Sequence, residues 1–141
     1  MKMQLEPGNA AILQLHVAAE TVFDMEGTLA TLTDDCLFED MPTGEKHVGR
    51  AAVRAYYREW WDAFGNVPSG SRRYVPAADF LIVETRFVGK HAGTYRGIVG
   101  SGHRIDLPVA IFISFRDGLM SGERFYYDRA TLIAQISGKQ A

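Results

Sequence analysis

The sequence predicts an α+β domain, with helices packed on one face of a curved antiparallel sheet. Three observations predict it. Apolar residues recur at helical spacing in the first half of the chain, interrupted by one short strand. The second half consists of β-branched and aromatic runs bounded by Gly, Pro and Asp. Short connections join those runs, and long strands joined in this way curl readily. A curled sheet capped by helices encloses a pocket.

Each element has its own justification. Residues 9–23, NAAILQLHVAAETVF, are expected to form an amphipathic helix with Asn9 as N-cap and Ile12, Leu15, Ala19 and Val22 at helical spacing. His16 and Glu20 are four apart and share a face. Residues 24–35, DMEGTLATLTDD, read as a short second helix with Leu29 and Leu32 inward. CLFED, 36–40, is a short strand ended by Pro42 and Gly44. Parity puts Cys36, Phe38 and Asp40 on one of its faces and Leu37, Glu39 and Met41 on the other. Residues 49–64 form a third helix, whose stripe runs through Val53, Tyr56, Tyr57, Trp60, Trp61 and Phe64. GNVPSGSRR, 65–73, reads as a loop. Strands follow at 79–89, 91–99, 104–115 and 119–128, with GSGH and RDG as turns and Pro108 marking an edge or bulge. RATLIAQI, 129–136, fits a short closing helix. The 141 residues are expected to make one domain, 1–141.

Composition narrows the function. Hydrophobic residues make up 47% of the chain and charged residues 23%, as in an ordinary globule. The formal net charge of -2 and a pI near 6.1 argue against nucleic acid as a partner, because phosphate binding needs a basic face. The one cysteine, Cys36, leaves no internal disulfide and no cysteine metal cage. Four scattered histidines lack ligand spacing, so no metal is expected. GIVGSGH lies between strands rather than before a helix, which argues against a nucleotide. No apolar run reaches the roughly 18 residues of a membrane helix, and the N-terminus shows no leader-like apolar region. The expectation is a cytoplasmic protein with no cofactor and no membrane partner.

Two segments, TLTDDCLFEDMPTGEKHVGRAAVRAYY and GKHAGTYRGIVGSGHRIDLPVAIFISFRDGLMSGERFYYD, together with the order of elements, resemble the nuclear transport factor 2-like superfamily. Within it they resemble the SnoaL-like polyketide cyclase and ketosteroid-isomerase-like group. The resemblance covers nearly the whole chain. It implies a cone-shaped, cystatin-like curved sheet with three N-terminal helices and a deep apolar cavity for a small hydrophobic organic ligand. It also implies a homodimer.

The resemblance also implies a site. Read without a gap from His16 to Tyr57, the chain is similar to ketosteroid isomerase. Asp40 falls at the general base, His16 at an oxyanion-donor tyrosine and Tyr57 at a supporting tyrosine. The chemistry is coherent: an apolar cavity raises a carboxyl pKa towards neutrality, and a nearby donor stabilises charge developing on a carbonyl oxygen. The alternatives are structural. Asp40 would be a solvated turn residue, and His16 a core histidine satisfied by Glu20. The pattern also departs from the family. Ile111 stands where the isomerase keeps a second oxyanion donor, and Ile111 and Phe125 stand where the cyclases keep a histidine and an aspartate. RID, 104–106, resembles an epoxide-hydrolase pair but sits one strand late, which marks it as a surface feature. Glu123, Phe125 and Tyr127 share a face that the resemblance turns inward. Glu123 is then either a second acid or a rim carboxylate paired with Arg124 or Arg104. Trp61 and Phe38 complete the expected wall. Glu84 and Arg86 read as a cross-strand ion-pair set on the outer face. Two functions fit: an acid–base enzyme of isomerase, cyclase or epoxide-hydrolase type acting on a small apolar carbonyl compound or epoxide, or a binding module for a hydrophobic metabolite.

Overall fold

The computed structural model describes residues 5–65, 67–77 and 80–139. The element order is α1 (Pro7–Thr21), α2 (Met25–Ala30), β1 (Leu32–Asp40), β2 (Glu45–Val48), α3 (Gly49–Phe64), β3 (Val67–Pro76), β4 (Leu81–Lys90), β5 (Arg104–Arg116), β6 (Leu119–Tyr126) and α4 (Arg129–Ile136). The strands form one sheet in the order β2-β1-β6-β5-β4-β3. Pairing is antiparallel except between β1 and β6, which run parallel. The chain is therefore the expected α+β architecture: a curved sheet with α1, α2 and α3 on it and α4 closing against β5. Among the described residues no helix is long and apolar enough to cross a membrane.

Several local expectations change. Helix α1 starts at Pro7, not after an Asn9 cap, because proline's fixed φ suits the first helical turn. Its buried line is Leu13 and His16, flanked by Val17 and Glu20, while Leu15 and Val22 are exposed. Helix α2 ends at Ala30. The Thr31 hydroxyl bonds back to the Thr28 carbonyl, and the Thr31 carbonyl instead accepts from Met120 N–H in the sheet (2.9 Å). Strand β1 thus begins at Leu32 and takes in Asp34 and Asp35 at a register break against β6.

A turn held by Gly44 N–H to the Asp40 carbonyl (2.8 Å), with Gly44 at φ 75°, folds EKHV back as β2, so His47 lies on a strand rather than in a turn. The expected 65–73 loop is largely strand β3. At the sheet edge only one side of a strand must be paired, so Pro68 and Gly70 are tolerated. Asn66 and Asp79, expected in the loop and at the head of the next strand, lie outside the described residues.

The expected strand at 91–99 is a tucked loop with one Tyr95–Ile98 bridge. A Cβ on Gly93 would stand 2.2 Å from the Asp62 carbonyl oxygen, so only glycine lets this loop lie against the end of α3, where Ala92 and Gly93 N–H both bond Ala63 O. Asp117 and Gly118, both at positive φ, make the expected β5–β6 hairpin turn. Pairing to β6 stops at Ala110, so Pro108 sits where β5 has an open side.

The two sheet faces differ sharply. Ile105, Leu107, Val109, Ile111 and Ile113 of β5 are all buried, and they join Phe38, Leu81 and Met120 in the core. Each such side chain contributes about 1.5–3 kcal/mol relative to exposure. The outer face carries the ion pairs Arg73–Glu84 and Arg86–Asp106 beside an aromatic cluster of Phe80, Phe112 and Tyr126. Asp106 of the RID segment belongs to this outer set, so RID is a surface feature.

Candidate functional site

Helices α1 and α3 and the inner face of the sheet enclose a cavity with about 830 Å³ of atom-free space, its mouth included. Its walls are Leu13, Val17, Trp60, Trp61, Val83, Phe87, Ile111, Ile113 and Phe125, an apolar and aromatic lining. Of the residues expected at the site, His16, Glu20, Tyr57, Trp61, Ile111, Glu123, Phe125 and Tyr127 line this cavity. Asp40 and Phe38 do not.

Polar groups converge at one end. Helix spacing brings His16 and Glu20 together, and β6 delivers Glu123 from the far end of the chain. His16 Nε2 lies 3.1 Å from Glu20 Oε1, 3.5 Å from Glu123 Oε1 and 3.1 Å from Tyr57 Oη. Tyr57 also donates to Glu20 Oε2 (3.2 Å). The other ring nitrogen fixes the proton. Thr31 Oγ1 gives its only hydrogen to the Thr28 carbonyl (2.7 Å), so towards His16 Nδ1 (2.7 Å) it can only accept. Nδ1 therefore carries a hydrogen, and Nε2 is the atom that gains or loses a proton among the carboxylates.

Electrostatics sharpen these roles. Burial alone would pull the His16 pKa down. The charge of Glu20, with hydrogen bonds to Glu123 and Glu20, outweighs it and pushes it up to about 10. His16 is an imidazolium at neutral pH. Glu20 is the ionised partner: burial disfavours its charge, but the His16 charge and hydrogen bond, with Arg72 and Tyr57, bring its pKa below the usual range. For Glu123 burial prevails over His16, and the charge of Glu20 adds to it, so its pKa is raised. Glu123 is therefore not a rim carboxylate paired with arginine. Its side chain is 5% exposed and faces an imidazolium.

Asp40 shares the inner face with Cys36 and Phe38, the face that the resemblance turns inward, and is 1% exposed. It is not a turn residue in water. Nor does it stand beside His16. Tyr56 Oη donates to Oδ2 (2.8 Å), Tyr127 Oη donates to both oxygens (2.9 Å each) and Thr43 N–H donates to Oδ1 (3.3 Å). Asp40 thus sits behind two phenols that line the cavity. Burial, the largest influence, together with the nearby Asp40 charge, raises the pKa of both phenols, which stay protonated as donors. Phe38 forms a packed layer beneath the cavity, against Tyr57 and Phe125.

Sequence reasoning missed Thr31, Arg72 and Tyr74. Thr31 lies inside the expected second helix, and Arg72 and Tyr74 lie in or beside the expected 65–73 loop. The run Arg72-Arg73-Tyr74-Val75 alternates neither in polarity nor in exposure, so no local signal marks this strand. Among the described residues no group of His, Cys, Asp and Glu is arranged to hold a metal ion.

Residues 10–136 match the family described as SnoaL-like polyketide cyclase. Similar solved structures include one designated a polyketide cyclase from Xanthomonas campestris pv. campestris. It is 23% identical, covers 92% of this chain and 96% of its own, and has a TM-score of 0.81. A SnoaL-like protein from Jannaschia sp. CCS1 is 16% identical, with coverage of 96% and 97% and a TM-score of 0.84. A protein with a ketosteroid-isomerase-like fold from Catenulispora acidiphila, in complex with trimethylamine, is 16% identical, with coverage of 89% and 92% and a TM-score of 0.73. At these identities the likeness shows the fold. A comparison with curated proteins gives no match.

Proposed function

Because the chain belongs to the SnoaL-like polyketide cyclase family, whose members have small-molecule-binding or cyclase- and isomerase-type roles, we propose that its cavity moves a proton on a small, largely apolar carbonyl compound. The observation that carries this reading is His16 Nε2 set between Glu20 and Glu123 at the polar end of an aromatic cavity.

In this reading Glu123, not Asp40, is the base. A carboxylate whose pKa is raised by burial is a stronger base than one in water, and it lines the cavity. It takes the proton from a carbon next to the carbonyl. The electron pair moves onto the carbonyl oxygen, whose charge the His16 imidazolium offsets through an Nε2–H shared between that oxygen and Glu20. Glu20 and Thr31 hold that ring in place, and Tyr57 steadies Glu20. The Glu123 carboxyl then returns its proton, either to another carbon (an isomerase outcome) or to the alkoxide left when the enolate carbon attacks a second carbonyl (a cyclase outcome).

The test is exchange of α-hydrogens into D2O, followed by proton NMR for a panel of bicyclic ketones such as 2-tetralone. Acceleration over buffer that falls by about 10²–10⁴-fold in Glu123→Gln is expected. Exchange unaffected by that substitution would remove Glu123 from the role. The second reading, a binding module, draws on Ile111 and Phe125, which present no acid or base to the cavity. A ligand recovered intact by native mass spectrometry, with no exchange on any ketone, would favour it.

A further inference from the structure

Arg72 and Arg73 are neighbours on β3 and project to opposite sides of the sheet. On the outside Arg73 pairs with Glu84 across the β3–β4 ladder (3.2 Å). On the inside Arg72 lines the cavity, half-buried, and among the described residues it forms no ion pair and no hydrogen bond. The two carboxylates of the cavity are already engaged by His16, and Glu20 also by Tyr57. Arg72 is close enough for its charge to favour the ionised form of both.

The cavity therefore sets the Arg72 guanidinium beside a lining whose two carboxyls are already held by His16. A guanidinium half-withdrawn from water with no ion-pair partner among the described residues is a site that an incoming anion completes. Its planar fork suits a carboxylate in particular. Tyr74, two residues on and 45% exposed, places this group at the mouth.

Building on the cavity reading above, we infer that Arg72 recognises a carboxylate on the ligand. The cavity takes a small aromatic or alicyclic carboxylic acid with its ring body among Trp61, Phe87 and Ile113 and its carboxylate at the mouth. The ring end then reaches towards His16 and Glu123, and the acid group gives the ligand one direction of entry.

The probes are 2-naphthoate and its methyl ester, which share a ring system and differ in charge, titrated calorimetrically at pH 7 into the whole protein. The acid is expected to bind about tenfold more tightly than the ester, the scale of one charge-assisted pair. Arg72→Gln should abolish that preference and leave ester affinity within about twofold, and Arg72→Lys should keep part of it, since a lysine retains the charge without the fork. Added salt should weaken only the acid. Equal binding of acid and ester by the wild type, or an equal loss of both in Arg72→Gln, overturns the inference while leaving the cavity reading intact. Binding of neither probe overturns both.

Discussion

Two buried carboxylates face inward from neighbouring strands, Asp40 on β1 and Glu123 on β6, and their surroundings separate them. Asp40 is saturated by neutral donors: two phenols and a backbone N–H. Among the described residues Glu123 pairs with one group, a histidine that it shares with a second acid, and it opens onto the cavity. The first arrangement satisfies a charge and fixes two tyrosine rings. The second leaves a charge whose proton can move. Burial of a carboxylate in an apolar region is therefore not enough to identify a base. What decides is whether its lone pairs are already taken and whether a ligand can reach it.

Turnover separates the two carboxylates most directly. Glu123→Gln should lower α-hydrogen exchange by about 10²–10⁴-fold, whereas Asp40→Asn should lower it by less than about tenfold. The reverse ranking would return the base to Asp40.

Stability gives the next largest contrast. Asp40→Ala leaves the buried hydroxyls of Tyr56 and Tyr127 without an acceptor. It should cost about 2–4 kcal/mol in denaturant unfolding. A loss below about 0.5 kcal/mol would show that the phenols find other partners.

A pH series sharpens the other side. The His16 pKa rises from 6.5 to about 10 on folding, so its contribution is complete below pH 6.5 and drains away as pH climbs to about 10. The raised pKa of Glu123 acts in the same sense, while Glu20, with a lowered pKa, gives a contribution that is lost as pH falls below 4.5. Wild-type Tm should therefore decline between pH 7 and 10, and His16→Gln should flatten that decline. A parallel decline in both proteins would refute the charged state assigned to His16. The smallest effect is expected outside. Arg73→Met breaks an exposed pair and should change stability by no more than about 1 kcal/mol.

Much of the fold was legible. The stripe on α3, the hairpin at Asp117–Gly118, the parity of Cys36, Phe38 and Asp40, and the closing helix all follow from local chemistry and appear as expected. The failures have physical causes. On α1 the apolar residues Leu15 and Val22 suggested the inner face, yet the buried line holds His16, because the helix turns its polar site groups inward and leaves greasy ones outside. The edge position of β3 made a Gly- and Pro-bearing strand look like a loop, which hid Arg72. Pairing of His16 with Glu20 was readable from their spacing. The approach of Glu123 was not, because it depends on how β6 lies against β1.

That parallel contact between β1 and β6 joins residues 32–40 to residues 120–125. It is the most sequence-distant pairing in the sheet. Long-range pairings of this kind close late and slow the search for the native state. During synthesis α1, α2 and β1 emerge well before β6, and until β6 arrives His16 and Glu20 face no Glu123. The acid–base cluster thus forms only when the two ends of the chain have met. Recovery of exchange activity after dilution from denaturant should lag behind recovery of helical signal and keep pace with burial of Trp60 and Trp61.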